Sequence, residues 1–305
     1  MKPKKPFFTR DTLTQILFVA PALFAFLMVV VIPFFMGLYY SFTNWNGAIQ
    51  KEITFVGLDN YTTLFTEPAF RHAFLVTTIY TAASVLIVNL IALGLAILVT
   101  SKLKFRNFYR SGFFTPNLIG GIVLGYIWQF LFNYALPGLG DSLGWKGLED
   151  LSMLGDDRLA IVAIVIVSTW QYAGYIMTIY VAAIQNVPAS LLEAAQIDGA
   201  GFLARTKAIM VPLIAPAFTV STFLTLVNSF KQFDVNVALT NGGPSTLFMN
   251  KAIMGSEFLA LNIYNTAFTM NDMARGQAKA VVFFVVLVAV SLVQVSINKR
   301  KELEM

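Results

Sequence analysis

Six stretches of this chain stay apolar for about twenty residues or longer, the length at which an α-helix crosses the ~30 Å hydrocarbon core of a bilayer. They run roughly 13–39, 72–100, 111–133, 158–185, 211–234 and 278–298. In lipid every backbone N–H and C=O must find its partner inside the protein. Apolar runs of this length therefore close as helices, and nothing in their pattern alternates as a barrel strand would. The whole chain agrees: 57% of its 305 residues are hydrophobic, 12% are charged, and the mean hydropathy is +0.70. That is the composition of an integral membrane protein.

The basic residues set the orientation. Lys2, Lys4, Lys5 and Arg10 precede the first run; Lys102, Lys104, Arg106 and Arg110 follow the second. Arg205 and Lys207 precede the fifth, and Lys299, Arg300 and Lys301 follow the sixth. Cytoplasmic loops are the ones rich in Lys and Arg, so both termini (1–12 and 299–305) and the loop 187–210 are expected in the cytoplasm. The formal net charge of +5 is explained by this topology, and no nucleic-acid partner is implied. The start Met1-Lys2-Pro3-Lys4-Lys5 has the basic character of a signal peptide. The apolar run behind it is too long and lacks a small-residue cleavage site, so it reads as a retained span.

What the runs lack is equally informative. None carries Asp or Glu in its interior; Asp234 lies near the outer end of the fifth. Ion-coupled carriers use buried titratable groups to bind and release the driving ion. His72, the one histidine, lies at a membrane edge and reads as interfacial. There is no Gly-x-x-x-x-Gly-Lys-Ser/Thr loop for nucleotide phosphates, no His-Glu-x-x-His, and no cysteine. The chain is thus expected to be no enzyme and to hold no cofactor or metal of its own. Any work it does draws on a partner.

One cytoplasmic segment stands apart. Ser190 followed by Glu193 fits a capping box, Ala194 and Ala195 favour helix, and Gly199 and Gly201 can end it, so a short water-exposed helix is expected here. By itself this is a surface helix in an ordinary loop. The run Glu193-Ala194-Ala195, then Asp198-Gly199-Ala200, then Ile209 and Val211-Pro212, resembles the coupling loop of bacterial ABC importer permeases, with Thr206 departing from the pattern. Two further strings are similar to those of sugar-importing members of the maltose, multiple-sugar and raffinose types. They are Phe55-Val56-Gly57-Leu58-Asp59-Asn60-Tyr61 after the first span and Leu239-Thr240-Asn241-Gly242-Gly243-Pro244 after the fifth, both local turns on their own terms. The resemblance covers roughly residues 10–298.

It implies an all-α integral membrane protein with six transmembrane helices in the type I ABC importer permease fold, its transmembrane domain spanning 13–298. It also implies a second homologous permease subunit, two ATPase subunits that bind ATP and Mg, and an extracytoplasmic binding protein that delivers an oligosaccharide. Glu193, Ala194, Ala195, Asp198 and Gly199 would couple the chain to the ATPase.

For the cargo, hydrogen-bonding groups and aromatic faces grouped at membrane depth are needed. The fourth run offers Ser168, Trp170, Gln171, Tyr172 and Tyr175; the fifth offers Asn228, Lys231 and Gln232. Asn117 beside Pro116 is a further candidate, or a repair of a proline kink. The aromatics could instead pack against lipid and helices, the amides could bond helix to helix, and Lys231 could snorkel to the headgroups. The resemblance places the sugar against the first five positions and near Asn228 and Lys231. Two other readings stay open on the residues alone: an ion-coupled sugar carrier and a membrane scaffold that transports nothing.

Overall fold

The computed structural model describes residues 10–47, 52–101 and 103–299. Lys2, Lys4, Lys5, Lys102, Arg300 and Lys301, most of the expected cytoplasmic segment 1–12 and residues 300–305 of the tail lie outside that set. Five helices are long and apolar enough to cross a membrane: Thr14–Tyr40, Pro68–Thr100, Gly121–Leu143, Asp157–Gln185 and Met273–Lys299. A sixth crossing results if Phe202–Leu213 and Ala215–Phe230, bent by 72° where they meet, are taken as one span. These are called below the first, second, third, fourth, sixth and fifth spans, in that order.

Two of these differ from the boundaries read from hydropathy. The stretch 111–133 is not one helix. A helix Arg106–Phe114 ends in a tight 3-10 turn, Thr115–Leu118, and the third span starts afresh at Gly121. Pro116 lacks the N–H that would continue an α-helical ladder, and Gly120 and Gly121 stand where helix is least favoured. The stretch 211–234 likewise breaks at Ile214, whose backbone leaves the helical region between Pro212 and Pro216.

The chain divides into two compact units, Leu64–Asn265 with Val282–Met305, and Met1–Thr63 with Thr266–Val281. In the first, the second and fourth spans pack along their lengths. Lipid is as apolar as leucine, so the gain comes from close contact rather than from escape from water. The small residues Ala92 and Ala96, four apart and fully buried, let the fourth span approach with Met177, Tyr180 and Val181. Polar bonds tie in the fifth span. Tyr180 Oη donates to Asn89 Oδ1 (2.8 Å), Ser221 Oγ donates to Tyr180 Oη (2.6 Å), and the Asn89 amide reaches Thr225 Oγ1 (3.3 Å). The second span has 33 residues, about 50 Å of helix at 1.5 Å per residue, so it tilts or projects beyond the hydrocarbon.

The string Leu239 to Pro244 does more than turn. Asn241 and Gly242 adopt left-handed backbone and end the helix Asp234–Thr240. A β-hairpin follows, Ser245–Phe248 paired antiparallel with Lys251–Met254. Met249 and Asn250 at its tip both have positive φ, the requirement of a two-residue hairpin turn. Fully buried Asn236 holds the return of the chain: its amide donates to Ser256 O (2.8 Å) and its Oδ1 accepts from Phe258 N (3.0 Å).

In the second unit, the string Phe55 to Tyr61 clamps the C-terminal end of the first span. The Asn60 amide donates to Ser41 O (2.9 Å) and Thr43 O (2.8 Å), and Tyr61 Oη lies 2.6 Å from Ser41 Oγ. Trp45 O accepts from Ala274 N (2.8 Å), at the start of the sixth span.

Candidate functional site

The helix expected in the cytoplasm forms as Ala189–Ile197. It starts one residue before Ser190, with Pro188 in the capping position and no side-chain cap, so the expected Ser190–Glu193 box is not made. The rigid φ of proline presets the entry in its place. The other end is firmly closed. Gly199, at φ +83°, lets its own N–H reach Gln196 O (3.1 Å) and that of Ala200 reach Ala195 O (2.9 Å). This paired closure satisfies carbonyls that a helix end otherwise leaves open. Beyond it, the Arg205 guanidinium donates to Gln196 Oε1 (2.7 Å), fastening the short helix to the first turn of the fifth span. Glu193, Ala194, Asp198 and Gly199 are exposed and Ala195 is half-buried. Ile197, 86% exposed, and Leu203, 79% exposed, stand on the same loop. Apolar side chains this bare on a polar loop are what a protein partner would cover.

The residues singled out for the cargo do not form one group. At 100° per residue Ser168, Gln171, Tyr172 and Tyr175 share a face of the fourth span, and Trp170 points to the opposite side. The Trp170 ring meets Trp128 edge-on at 5.7 Å. It lines an almost wholly apolar cavity of about 580 Å³ with Val162, Ile166, Phe113 and Pro116. Trp170 thus stands apart from the face that carries Ser168, Gln171, Tyr172 and Tyr175.

Two of the others are occupied by the fold. Ser168 is buried and accepts from Gln232 Nε2 (3.0 Å), which also lies 3.4 Å from Tyr80 Oη; this bond joins the fourth span to the end of the fifth. Gln171 donates to Ile119 O (2.9 Å), a carbonyl left open by the break before the third span. Gln171→Leu should therefore act on the fold first. Losing the donor strands a carbonyl at a cost of ~1–3 kcal/mol. Thermal unfolding of the purified protein should show a lowered midpoint, with half-saturation for the cargo unchanged.

Tyr172 and Tyr175 are half-buried with ring centroids 5.3 Å apart, Asn117 is half-buried, and Asn228 and Lys231 are exposed at the end of the fifth span. Through the Gln171 bond the break containing Asn117 lies against the Tyr172 and Tyr175 face. Among the described residues no hydrogen bond joins Asn228 or Lys231 to that face. Among the described residues no group of three or more His, Cys, Asp or Glu could hold a metal.

Sequence reasoning passed over Lys279. It is fully buried in the sixth span and donates to Thr266 Oγ1 (2.8 Å). One turn earlier Gly276 lies against the backbone of Ala267, and a side chain there would meet it. A single ammonium inside an apolar run is the signal that could have found it, since charge at that depth requires a partner.

Comparison with known proteins matches residues 89–302 to the family model described as "Binding-protein-dependent transport system inner membrane component". The chain is 42% identical over 304 residues, 99% of each protein, to the probable starch degradation products transport system permease protein AmyD of Thermoanaerobacterium thermosulfurigenes. It is 34% identical to the multiple sugar-binding transport system permease protein MsmF of Streptococcus mutans, over 88% of this chain and 90% of that one. Its fold superposes on a chain of a bacterial ABC transporter involved in the import of the acidic polysaccharide alginate, with a TM-score of 0.81 at 21% identity, covering 95% and 96% of the two chains.

Proposed function

This chain belongs to the family of binding-protein-dependent transport system inner membrane components and is a multi-pass permease subunit of an ABC importer; from that premise we propose how it works and what it carries. Its cargo is an oligosaccharide, handed over outside the membrane by a sugar-binding protein. A second, related permease subunit completes the path, and two ATPase subunits hold ATP and Mg and hydrolyse it. Closure of the ATPase pair displaces the helix Ala189–Ile197, and the spans rock so that a cavity at mid-membrane faces first outward and then inward.

The observation that carries this reading is the exposed helix Ala189–Ile197, closed at Gly199 and fastened through Arg205 to the chain that enters the fifth span. A rigid, bare lever joined to a span is suited to pass on a push. Along that path, the Tyr172 and Tyr175 rings offer flat faces to a sugar with Asn117 beside them, and Asn228 and Lys231, exposed at the end of the fifth span, offer hydrogen bonds.

The test is uptake by proteoliposomes holding the complete transporter and its binding protein. ATP inside the compartment of the ATPases should drive accumulation of labelled oligosaccharide, and an ion gradient alone should not. Accumulation driven by the gradient without ATP would replace this reading with the ion-coupled carrier. On the same vesicles Tyr172→Ala or Lys231→Ala should weaken cargo handling roughly tenfold, the effect of one well-placed contact of ~1.4 kcal/mol. ATP hydrolysis stimulated by the binding protein should remain. Uptake unchanged by both would place the cargo elsewhere.

A further inference from the structure

A groove of about 530 Å³ opens at the Pro68 end of the second span, within the ~300–1,000 Å³ range of small-molecule sites. Its walls are carbon: Phe74 and Leu75 from the second span, Phe248 from the hairpin, and Val282 and Val286 from the sixth span. The hydroxyl of Thr78 at its lower end is already used, donating to Phe74 O (2.8 Å). The exception is Arg71 at the upper rim. Its side chain is exposed, and the guanidinium takes part in no ion pair among the described residues.

The position of Arg71 is electrostatically odd. It stands in the first turn of the helix Pro68–Thr100, where the partial positive charge of the helix end favours acids and opposes a cation. Both charges call for an anion. With the orientation that the basic residues set, the second span runs inward from its Pro68 end, which puts Arg71 at headgroup level of the outer leaflet. The groove descends from it along the helix by about 10 Å to Thr78, into the hydrocarbon. A ligand that fits both parts has a negative headgroup above and an acyl chain below.

The geometry points to an anionic glycerophospholipid of the outer leaflet, bound with its phosphate on Arg71 and one acyl chain between Leu75, Phe248 and Val286. The site lies on the fold alone and does not depend on which cargo the permease carries. A lipid here bridges the second span, the hairpin and the sixth span, three elements far apart in sequence.

Native mass spectrometry of the complete transporter, released from membranes in mild detergent and titrated with phosphatidylglycerol or phosphatidylcholine, tests this. The wild type should retain phosphatidylglycerol in preference. Arg71→Gln should reduce that preference roughly fivefold, the effect of one cation near an anionic headgroup, and Arg71→Lys should keep most of it. Leu75→Trp, which fills the groove and leaves Arg71 in place, should lower retention of both lipids. Equal retention by wild type and Arg71→Gln would overturn the proposal. So would displacement by inorganic phosphate, which would mark a site for a soluble anion. Disulfide or bifunctional cross-linking of Leu75→Cys to the second permease subunit in membranes would also overturn it, because the groove would then be a subunit interface.

Discussion

Gly174→Ala is expected to remove the transporter from the membrane, cutting both assembled protein and uptake more than tenfold. Gly174 lies where the fourth span crosses the end of the helix Arg106–Phe114. A Cβ there would overlap the Phe113 carbonyl oxygen and stand 2.5 Å from its carbon and 3.0 Å from Phe114 N. All three are backbone atoms, so no side-chain rotation can relieve the contact and the two segments must part. Overpacking in a core typically costs ~1–3 kcal/mol when side chains can shift, and more when they cannot. The same displacement would pull Gln171 from Ile119 O and open the break before the third span. Gly94→Ala and Gly112→Ala are the controls. Neither added Cβ meets anything within 4 Å, and a helical Gly→Ala change is otherwise stabilising by ~0.5–1 kcal/mol. Quantitative blotting of membranes and the unfolding midpoint of the purified complex measure all three. A Gly174→Ala protein as abundant and as stable as Gly94→Ala would contradict the close approach.

That crossing marks the limit of what hydropathy can read. An apolar run records that a segment prefers lipid and nothing about where its helix is interrupted, so 111–133 and 211–234 read as continuous although the interruptions sit at Pro116 to Gly120 and at Ile214 between two prolines. The prolines and glycines were the available signal. The contacts of the candidate cargo residues were out of reach for a different reason. Ser168, Gln171 and Trp170 have the chemistry of sugar binding, but only tertiary contacts decide that Ser168 bonds Gln232, that Gln171 repairs a broken ladder and that Trp170 turns toward an apolar cavity. The hairpin was hidden because Met249, an ordinary apolar residue, takes a positive φ that composition does not announce. The helix Ala189–Ile197 was legible because its signals are local: alanines within it and a glycine just past its end, which act the same way whatever packs around them.

Gly199→Val should uncouple the transporter without unfolding it. A valine at φ +83° is strained by ~1–2 kcal/mol, and the paired closure onto Gln196 O and Ala195 O is lost with it. Nothing lies within 4 Å of the added Cβ, so the change is confined to the path of the backbone. That path sets the angle between the exposed helix and the chain entering the fifth span, an angle also held by the Arg205 bond to Gln196 Oε1. The folded spans lose no packing, and the unfolding midpoint should stay within a few degrees of wild type. ATP-driven uptake should nevertheless fall at least tenfold, and hydrolysis stimulated by the binding protein should fall with it. Glu193→Lys, reversing an exposed charge, and Ile197→Asp, placing a charge on an 86% exposed apolar side chain, should weaken capture of the ATPase subunits in pull-down while the spans stay intact. Because the chain has no cysteine, Glu193→Cys gives a single thiol whose side of the membrane can be read with an impermeant maleimide. Labelling only after the membrane is opened agrees with a cytoplasmic lever; labelling from the outside of intact cells would reverse the topology and end the coupling account. Full uptake by Gly199→Val would show that the push enters the membrane by another route.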